Sequence, residues 1–355
     1  MAAVADKLLA WFEHQKLGWL DFVKKLVYAE SPSLDPGSQL PLMALLADGL
    51  ADARYDVRLL PGKTSAGQLF AVPRRRHKGR PYQLLIGHCD TVWPLNTLGE
   101  MPVQVDGNRL LGPGVFDMKA GLTNIVFALQ ALWSQELEPA VTPAVLITSD
   151  EEIGSVDSRA VIERLSRRAD RVLVLEPSLG ISGKIKTARK GTGSYRITAE
   201  GKAAHAGLAP EEGASAILEM SHVIQNLFRL NDPSRGVTVN VGTVGGGLQS
   251  NVIAPESTAE VDVRVLTHDD ADRVDDVIKD LRPAIVGVTL KIDGGFDRPP
   301  MERTPRNQAL WALCRDTGRA IGLVLEEGAA GGASDGNFTS QFCATLDGLG
   351  PVGHG

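Results

Sequence analysis

The stretch Ala144-Val-Leu-Ile-Thr-Ser-Asp-Glu-Glu152 is apolar through Ile147 and turns acidic only at its last residues. A short apolar run of this kind reads as a strand buried on both faces. Its flanks repeat the pattern. LLIGHCD (Leu84 to Asp90) precedes it and LVLEPS (Leu173 to Ser178) follows, each apolar until a histidine or carboxylate appears at the exit. Between these runs, Asp117 to Gln135 and Ser158 to Arg168 have helical spacing. Strands alternating with helices predict a mostly parallel sheet, in which ligands bind beyond the carboxyl ends of the strands. The acidic residues fall at those ends.

Upstream, residues Ala5 to Val27 and Gln39 to Ala53 read as helices separated by the break ESPSLDPGSQ. After Gly183 the character changes. GKIKTARKGTGSYRITAEGKAAHAG alternates and is glycine-rich, as in antiparallel strands with one solvated face. Helical and strand-like segments then follow in a β-α-β-β-α-β order, which looks like a ferredoxin-like sandwich. Near Asp297 long helical segments return. The expected fold is therefore α/β: a mostly parallel-sheet catalytic domain (1–183 with 297–355) carrying an inserted ferredoxin-like α+β domain (184–296). A chain of 355 residues exceeds what one core spans, which agrees with two domains.

Bulk properties narrow the function classes. A net charge of -6 argues against a nucleic-acid partner, which needs a clustered basic surface. The densest basic run, Arg74 to Lys78, reads as a solvated hairpin turn. Cys89, Cys314 and Cys343 are widely spaced and contain no CxxC pair, so a reducing compartment is expected. The N-terminus reads as an amphipathic helix rather than a signal peptide, and no apolar run suggests a membrane span. These features place the protein in the cytoplasm.

The strand ends offer His88, Asp90, Asp117, Glu151, Glu152 and Glu176. One imidazole with several carboxylates suits a hard-to-borderline divalent metal, zinc foremost. Strand alternation puts His88 and Asp90 on one face, His88 as ligand and Asp90 as its orienter, with Cys89 turned into the core. Asp117, among glycines before a helix, fits either a ligand or a helix N-cap. In SDEE, consecutive carboxylates repel unless a cation compensates them. One glutamate there can ligate metal while its neighbour addresses a bound water.

The series GHCDTV, GPGVFDMKAG, TSDEEIGS, LEPS and RKGTGSYRITAEGKAAHAG resembles the co-catalytic zinc family of glutamate carboxypeptidase, aminoacylase, acetylornithine deacetylase and succinyl-diaminopimelate desuccinylase. Its wording is most similar to the glutamate carboxypeptidase branch. The resemblance implies two zinc ions per subunit, about 3.5–4 Å apart, activating a water and polarising the scissile carbonyl. His88 and Glu176 would hold one zinc, Asp117 would bridge, and Glu152 would hold the second. Glu151 would be the general base, and the Asp117–Met118 peptide bond would be cis. The inserted domain would form a homodimer, with His205 reaching the partner subunit's site to stabilise the oxyanion. Asn240 and Arg264 would contact the substrate, the arginine taking the carboxylate of the released amino acid in its guanidinium fork. Gly332, Ser334 and Asp335 would lie near the substrate.

The family's final ligand is a histidine in a Gly-x-Gly-x-His context. In LGPVGHG that position falls two residues past Gly355, and His354 occupies the intervening one. The resemblance thus leaves the second zinc one ligand short. The implied activity is a metallo-carboxypeptidase or amidohydrolase acting on a peptide or N-acyl amino acid. An aminoacylase or deacylase is the alternative, and a non-catalytic binding protein with an incomplete metal site is the alternative of another class.

Overall fold

The computed structural model describes residues 2–76 and 79–355. His77 and Lys78 of the basic run lie outside the described residues, while Arg74 pairs with Asp56 at 3.6 Å. The chain divides into two compact units, Met1–Thr187 with Arg303–Ala330 and Ser334–Gly355, and Ala188–Glu302 with Gly331–Ala333.

The first unit begins with helices α1 (Ala2–Tyr28) and α2 (Pro36–Asp52). Asp35 caps α2 by accepting the Ser38 N–H, and Pro36 sits in its first turn, where no backbone donor is needed. Strands β1 (Tyr55–Leu60), β2 (Gln68–Pro73) and β3 (Tyr82–His88) follow, then a small ribbon of β4 (Gln104–Asp106) and β5 (Arg109–Leu111). Helix α3 (Ala120–Ser134), strand β6 (Thr142–Thr148), helix α4 (Arg159–Ser166) and strand β7 (Arg171–Val174) complete the alternation. Where the chain leaves this unit, β8 (Ile185–Arg189) enters a two-stranded ribbon.

The second unit contains β9 (Gly191–Glu200), α5 (Ala216–Phe228), β10 (Thr238–Gly246), β11 (Glu256–Val265), α6 (His268–Lys279) and β12 (Thr289–Arg298). Its antiparallel sheet runs in the order β10-β11-β9-β12. Alternate residues such as Tyr195, Ile197, Val261 and Val263 face the helices in one core with Met220, Val223, Val274 and Ile278. Ser215 and Thr267 cap α5 and α6. The chain then returns to the first unit with α7 (Pro305–Ala320), β13 (Glu327–Ala330, the partner of β8), α8 (Asp335–Thr339) and β14 (Ala344–Leu346).

The first unit's sheet has the order β1-β2-β6-β3-β7-β14, parallel from β6 through β14 and antiparallel at β1 and β2. Side chains of the central strands divide between two cores. Leu85, Val145 and Ile147 pack with Leu46, Leu122 and Val126, whereas Leu84, Ile86, Leu146 and Val174 pack with Ile162 and Phe338. Each fully buried leucine or isoleucine contributes about 1.5–3 kcal/mol by leaving water. Val115–Ser134 matches a membrane span in length and hydropathy, which the sequence reading did not count, and 67% of it is buried. Because β3, β6 and β7 are parallel, His88, the acidic turn after Thr148 and Glu176 all leave the sheet at one edge.

Candidate metal centre

His88 closes β3 and is 2% exposed. Its Nε2 lies 3.1 Å from Asp117 Oδ1 and 3.3 Å from Glu176 Oε1. Its Nδ1 is 3.0 Å from the Asp90 carbonyl oxygen and 3.4 Å from Asp90 Oδ1, so both backbone and side chain of Asp90 fix the ring. Cys89, between them, is fully buried in the core. Asp117 sits in the tight turn Val115–Lys119 ahead of α3, and its bond to Met118 is cis. Met118 is buried beneath, its sulfur accepting the His88 backbone N–H at 3.3 Å.

Glu176 follows β7, and its carbonyl accepts the Gly350 N–H at 2.8 Å. Two glycines make this approach feasible. A Cβ on Gly121 would stand 2.0 Å from the Leu175 carbonyl oxygen, and one on Gly350 would stand 2.2 Å from the same atom. The C-terminal residues Gly353 and Gly355 lie against the Phe116 ring, next to Asp117.

The acidic turn is anchored from two directions. Asp90 accepts the Glu151 N–H at 3.2 Å on Oδ1 and the Glu152 N–H at 3.1 Å on Oδ2, which also takes the Ser33 hydroxyl at 2.7 Å. Asp335, at the start of α8, accepts hydrogen bonds from Thr148 (3.0 Å) and Ser155 (2.5 Å), the residues flanking the turn. Asp150 turns away from its neighbours and accepts the N–H groups of Asp157 and Ser158 at 2.7 and 3.2 Å. Of the consecutive carboxylates, only Glu151 and Glu152 join the cluster.

Two donor groups result, His88 with Glu151 and Glu176, and His88 with Asp117 and Glu152; within each, the ligand atoms lie within 4.8 Å of one another. The electrostatics show what this crowding costs. Burial pushes the Glu152 carboxyl up to about 7, and the Asp117, Asp90 and Glu176 charges add to the rise while His88 opposes it. Burial disfavours the His88 imidazolium, yet hydrogen bonds to Asp117, Asp90 and Glu176 outweigh it and hold its pKa well above the ordinary histidine value. Burial likewise works against the Asp90 anion, but His88, Ser33 and the Glu152 N–H hold it below the usual carboxylate range. A set of one buried imidazole and four carboxylates, one of them raised by burial and by its acidic neighbours, fits a divalent cation that would compensate those charges.

His205, Asn240 and Arg264 belong to the second unit. His205 is exposed in a loop bridged to Val252, its Nδ1 accepting the Gly207 N–H at 3.2 Å. Asn240 is exposed on β10 opposite Asp262. Asp262 in turn receives Nε and Nη2 of Arg264 at 2.9 and 3.0 Å. Asn240 and Arg264 therefore share the face of the sheet that looks away from the helices.

Residues 187–285 match the sequence model of an M20 peptidase dimerisation domain. The chain is 32% identical over 201 residues to carboxypeptidase G2 of Pseudomonas sp. (strain RS-16), covering 57% of this chain and 48% of that protein. It thus spans about half the length of that relative. It is 28% identical to succinyl-diaminopimelate desuccinylase of Delftia acidovorans, covering 90% of this chain and 87% of the relative. In fold it is similar to the aminopeptidase PepT from Bacillus cereus, with a TM-score of 0.75 and 20% identity over 97% of this chain and 89% of that one. With the paired donor groups at the sheet edge, these likenesses agree: residues 187–285 match an M20 dimerisation domain, and the chain is similar in sequence and fold to peptidases and desuccinylases along most of its length.

Proposed function

We propose that the protein is an amidohydrolase that releases an amino acid with a free carboxylate, in the manner of a glutamate carboxypeptidase. The observation that carries this reading is the pair of donor groups meeting at His88, with Glu151 in one and Glu152 in the other. His88, Glu176, Asp117 and Glu152 would hold two zinc ions. Metal ions so held supply Lewis-acid polarisation of the scissile carbonyl and acidify an attacking water. Glu151 takes the proton of that water and returns it to the leaving amine. Asp90 keeps the imidazole of His88 in its ligating orientation through Nδ1.

Arg264 and Asn240 bind the carboxylate end of the substrate, and His205 of one subunit completes the other's site by hydrogen-bonding the developing oxyanion. This assigns the second unit to substrate binding and to a homodimer. Unpaired Cys89, Cys314 and Cys343 support a reducing, cytoplasmic setting.

A second reading, deacylation of an N-acyl amino acid, is supported by the likeness to the desuccinylase along most of the chain. A panel of peptidyl and N-acyl amino acids, assayed with zinc and again with chelator, distinguishes the two. Glu151→Gln should lower turnover at least ~100-fold while metal analysis still finds zinc. A zinc-loaded protein that cleaves nothing on the panel, or a Glu151→Gln protein with full turnover, would sink the proposal.

A further inference from the structure

The linker between α1 and α2, residues 29–35, carries no side chain of the two donor groups, yet it is tied to three of the segments that do. Lys119, buried at the end of the turn that presents Asp117, donates from Nζ to the Ala29 carbonyl at 3.0 Å. Gln39, fully buried in α2, uses both amide hydrogens, one on the Pro32 carbonyl at 3.0 Å and one on that of Ser149 at 3.1 Å, just ahead of the acidic turn. The third tie is to the exit of β3. Pro32 bridges Thr91 in parallel, with the Thr91 N–H on the Ser31 carbonyl at 2.9 Å and the Ser33 N–H on the Thr91 carbonyl at 3.1 Å. The linker thus runs beside residues 89–91 like a short added strand.

Two buried hydroxyls of this strand meet different acceptors. Ser31 Oγ donates to the Cys89 carbonyl and Ser33 Oγ to Asp90 Oδ2, each at 2.7 Å. Ser33 Oγ also faces the Thr91 carbonyl at 3.2 Å, but a hydroxyl has one proton, and the closer, ionised acceptor makes the stronger bond. The other contacts of that carboxylate, from His88 Nδ1 and from the N–H groups of Glu151 and Glu152, come from the centre itself. Those groups move with the parts that Asp90 must hold. Ser33 stands outside the donor groups and gives Asp90 a fixed reference.

We propose that Ser33 is a positioning residue of the metal centre, its hydroxyl fixing the Asp90 carboxylate and, through it, the His88 ring and the backbone of the acidic turn. Ser31, on the same linker, holds main chain alone. A buried carboxylate that loses a charge-assisted hydrogen bond turns toward the donors that remain, and the imidazole resting on it turns too. This inference rests on the two-metal reading above.

Zinc titration against a competing chelator, with chemical denaturation of the metal-free protein, tests it on the full chain. Ser33→Ala should raise the zinc dissociation constant about tenfold or more, the usual effect of removing a group that orients a ligand. Ser33→Thr, which keeps the hydroxyl, should recover most of that loss. Ser31→Ala loses an equally short buried hydrogen bond, so its denaturation midpoint should fall as in Ser33→Ala while its zinc affinity stays within about twofold of wild type. Because Ser33 acts through Asp90, adding Ser33→Ala to Asp90→Ala should weaken zinc binding less than about twofold further. Equal losses of zinc affinity in Ser31→Ala and Ser33→Ala, or a Ser33→Ala protein that binds zinc as wild type does, overturn the assignment. A wild-type chain that binds no zinc removes the two-metal reading itself, and this inference with it.

Discussion

Asp335 and Ser155 stand 180 residues apart in the chain, and the serine hydroxyl donates to Oδ1 of the buried aspartate at 2.5 Å. With Thr148 on the other oxygen, Asp335 brackets the turn that presents Glu151 and Glu152. Asp335→Ala should lower kcat or metal affinity ~10–100-fold, the usual cost of removing a group that orients a ligand. Asp335→Asn, which keeps an acceptor, should recover part of the loss, and Ser155→Ala should show a smaller defect. Steady-state kinetics and zinc titration check this, and an Asp335→Ala protein with unchanged values for both would count against the bracket.

Zinc affinity should fall with acidity. The Glu152 carboxyl titrates near 7 because of burial and neighbouring carboxylates, so below that pH it holds a proton that a cation must displace. Each proton released makes apparent affinity drop on the order of tenfold per pH unit. Calorimetric titrations between pH 5.5 and 8, repeated in buffers of different ionisation enthalpy, would reveal the released protons. A flat profile would refute the coupling.

Gly121→Ala offers a test in which two rules disagree in sign. Helix propensity favours alanine over glycine by about 1 kcal/mol. The new methyl, however, would fall 2.0 Å from the Leu175 carbonyl, next to Glu176. Overpacking of that kind costs about 1–3 kcal/mol, so a net loss of stability is expected in chemical denaturation. A stabilised variant would show that the close approach is not tight.

Asp157 accepts the backbone N–H groups of Lys63, Thr64 and Ser65 on one oxygen, at 2.7, 2.7 and 2.9 Å. Burial opposes the anion slightly, but these bonds hold its carboxyl down at about 2. A carboxyl with a depressed folded pKa stabilises fully above its unfolded value, about 3.9, and loses that effect as pH falls toward 2. Asp157→Ala should therefore melt below wild type at pH 7, with the gap narrowing below pH 4. Thermal melts across that range are the measurement, and a pH-independent gap would contradict the linkage.

Much of the centre was legible because it is local. GHCD, SDEE and LEPS each combine a buried apolar strand with its polar exit, and parallel pairing brings such exits to one edge. The mixed α/β fold with its mostly parallel sheet followed from the same alternation. What the sequence hid was long-range. Nothing near GGASDGN signals that Asp335 would hold the far side of the SDEE turn. Asp150 looked like a third clustered carboxylate, yet the N–H groups of Asp157 and Ser158 draw it away. Nor does VDVRV show that the guanidinium of Arg264 is held by Asp262, two residues before it on the same strand face, at 2.9 Å.

One carboxylate, that of Asp90, touches both the His88 ring and the backbone of the acidic turn. The two donor groups are thereby surveyed from a single benchmark. If β3 shifts as the sheet breathes, the imidazole and the turn travel together, and the spacing between them is conserved while their location is not. The centre is thus defined by relative position, which lets the surrounding core drift without detuning it.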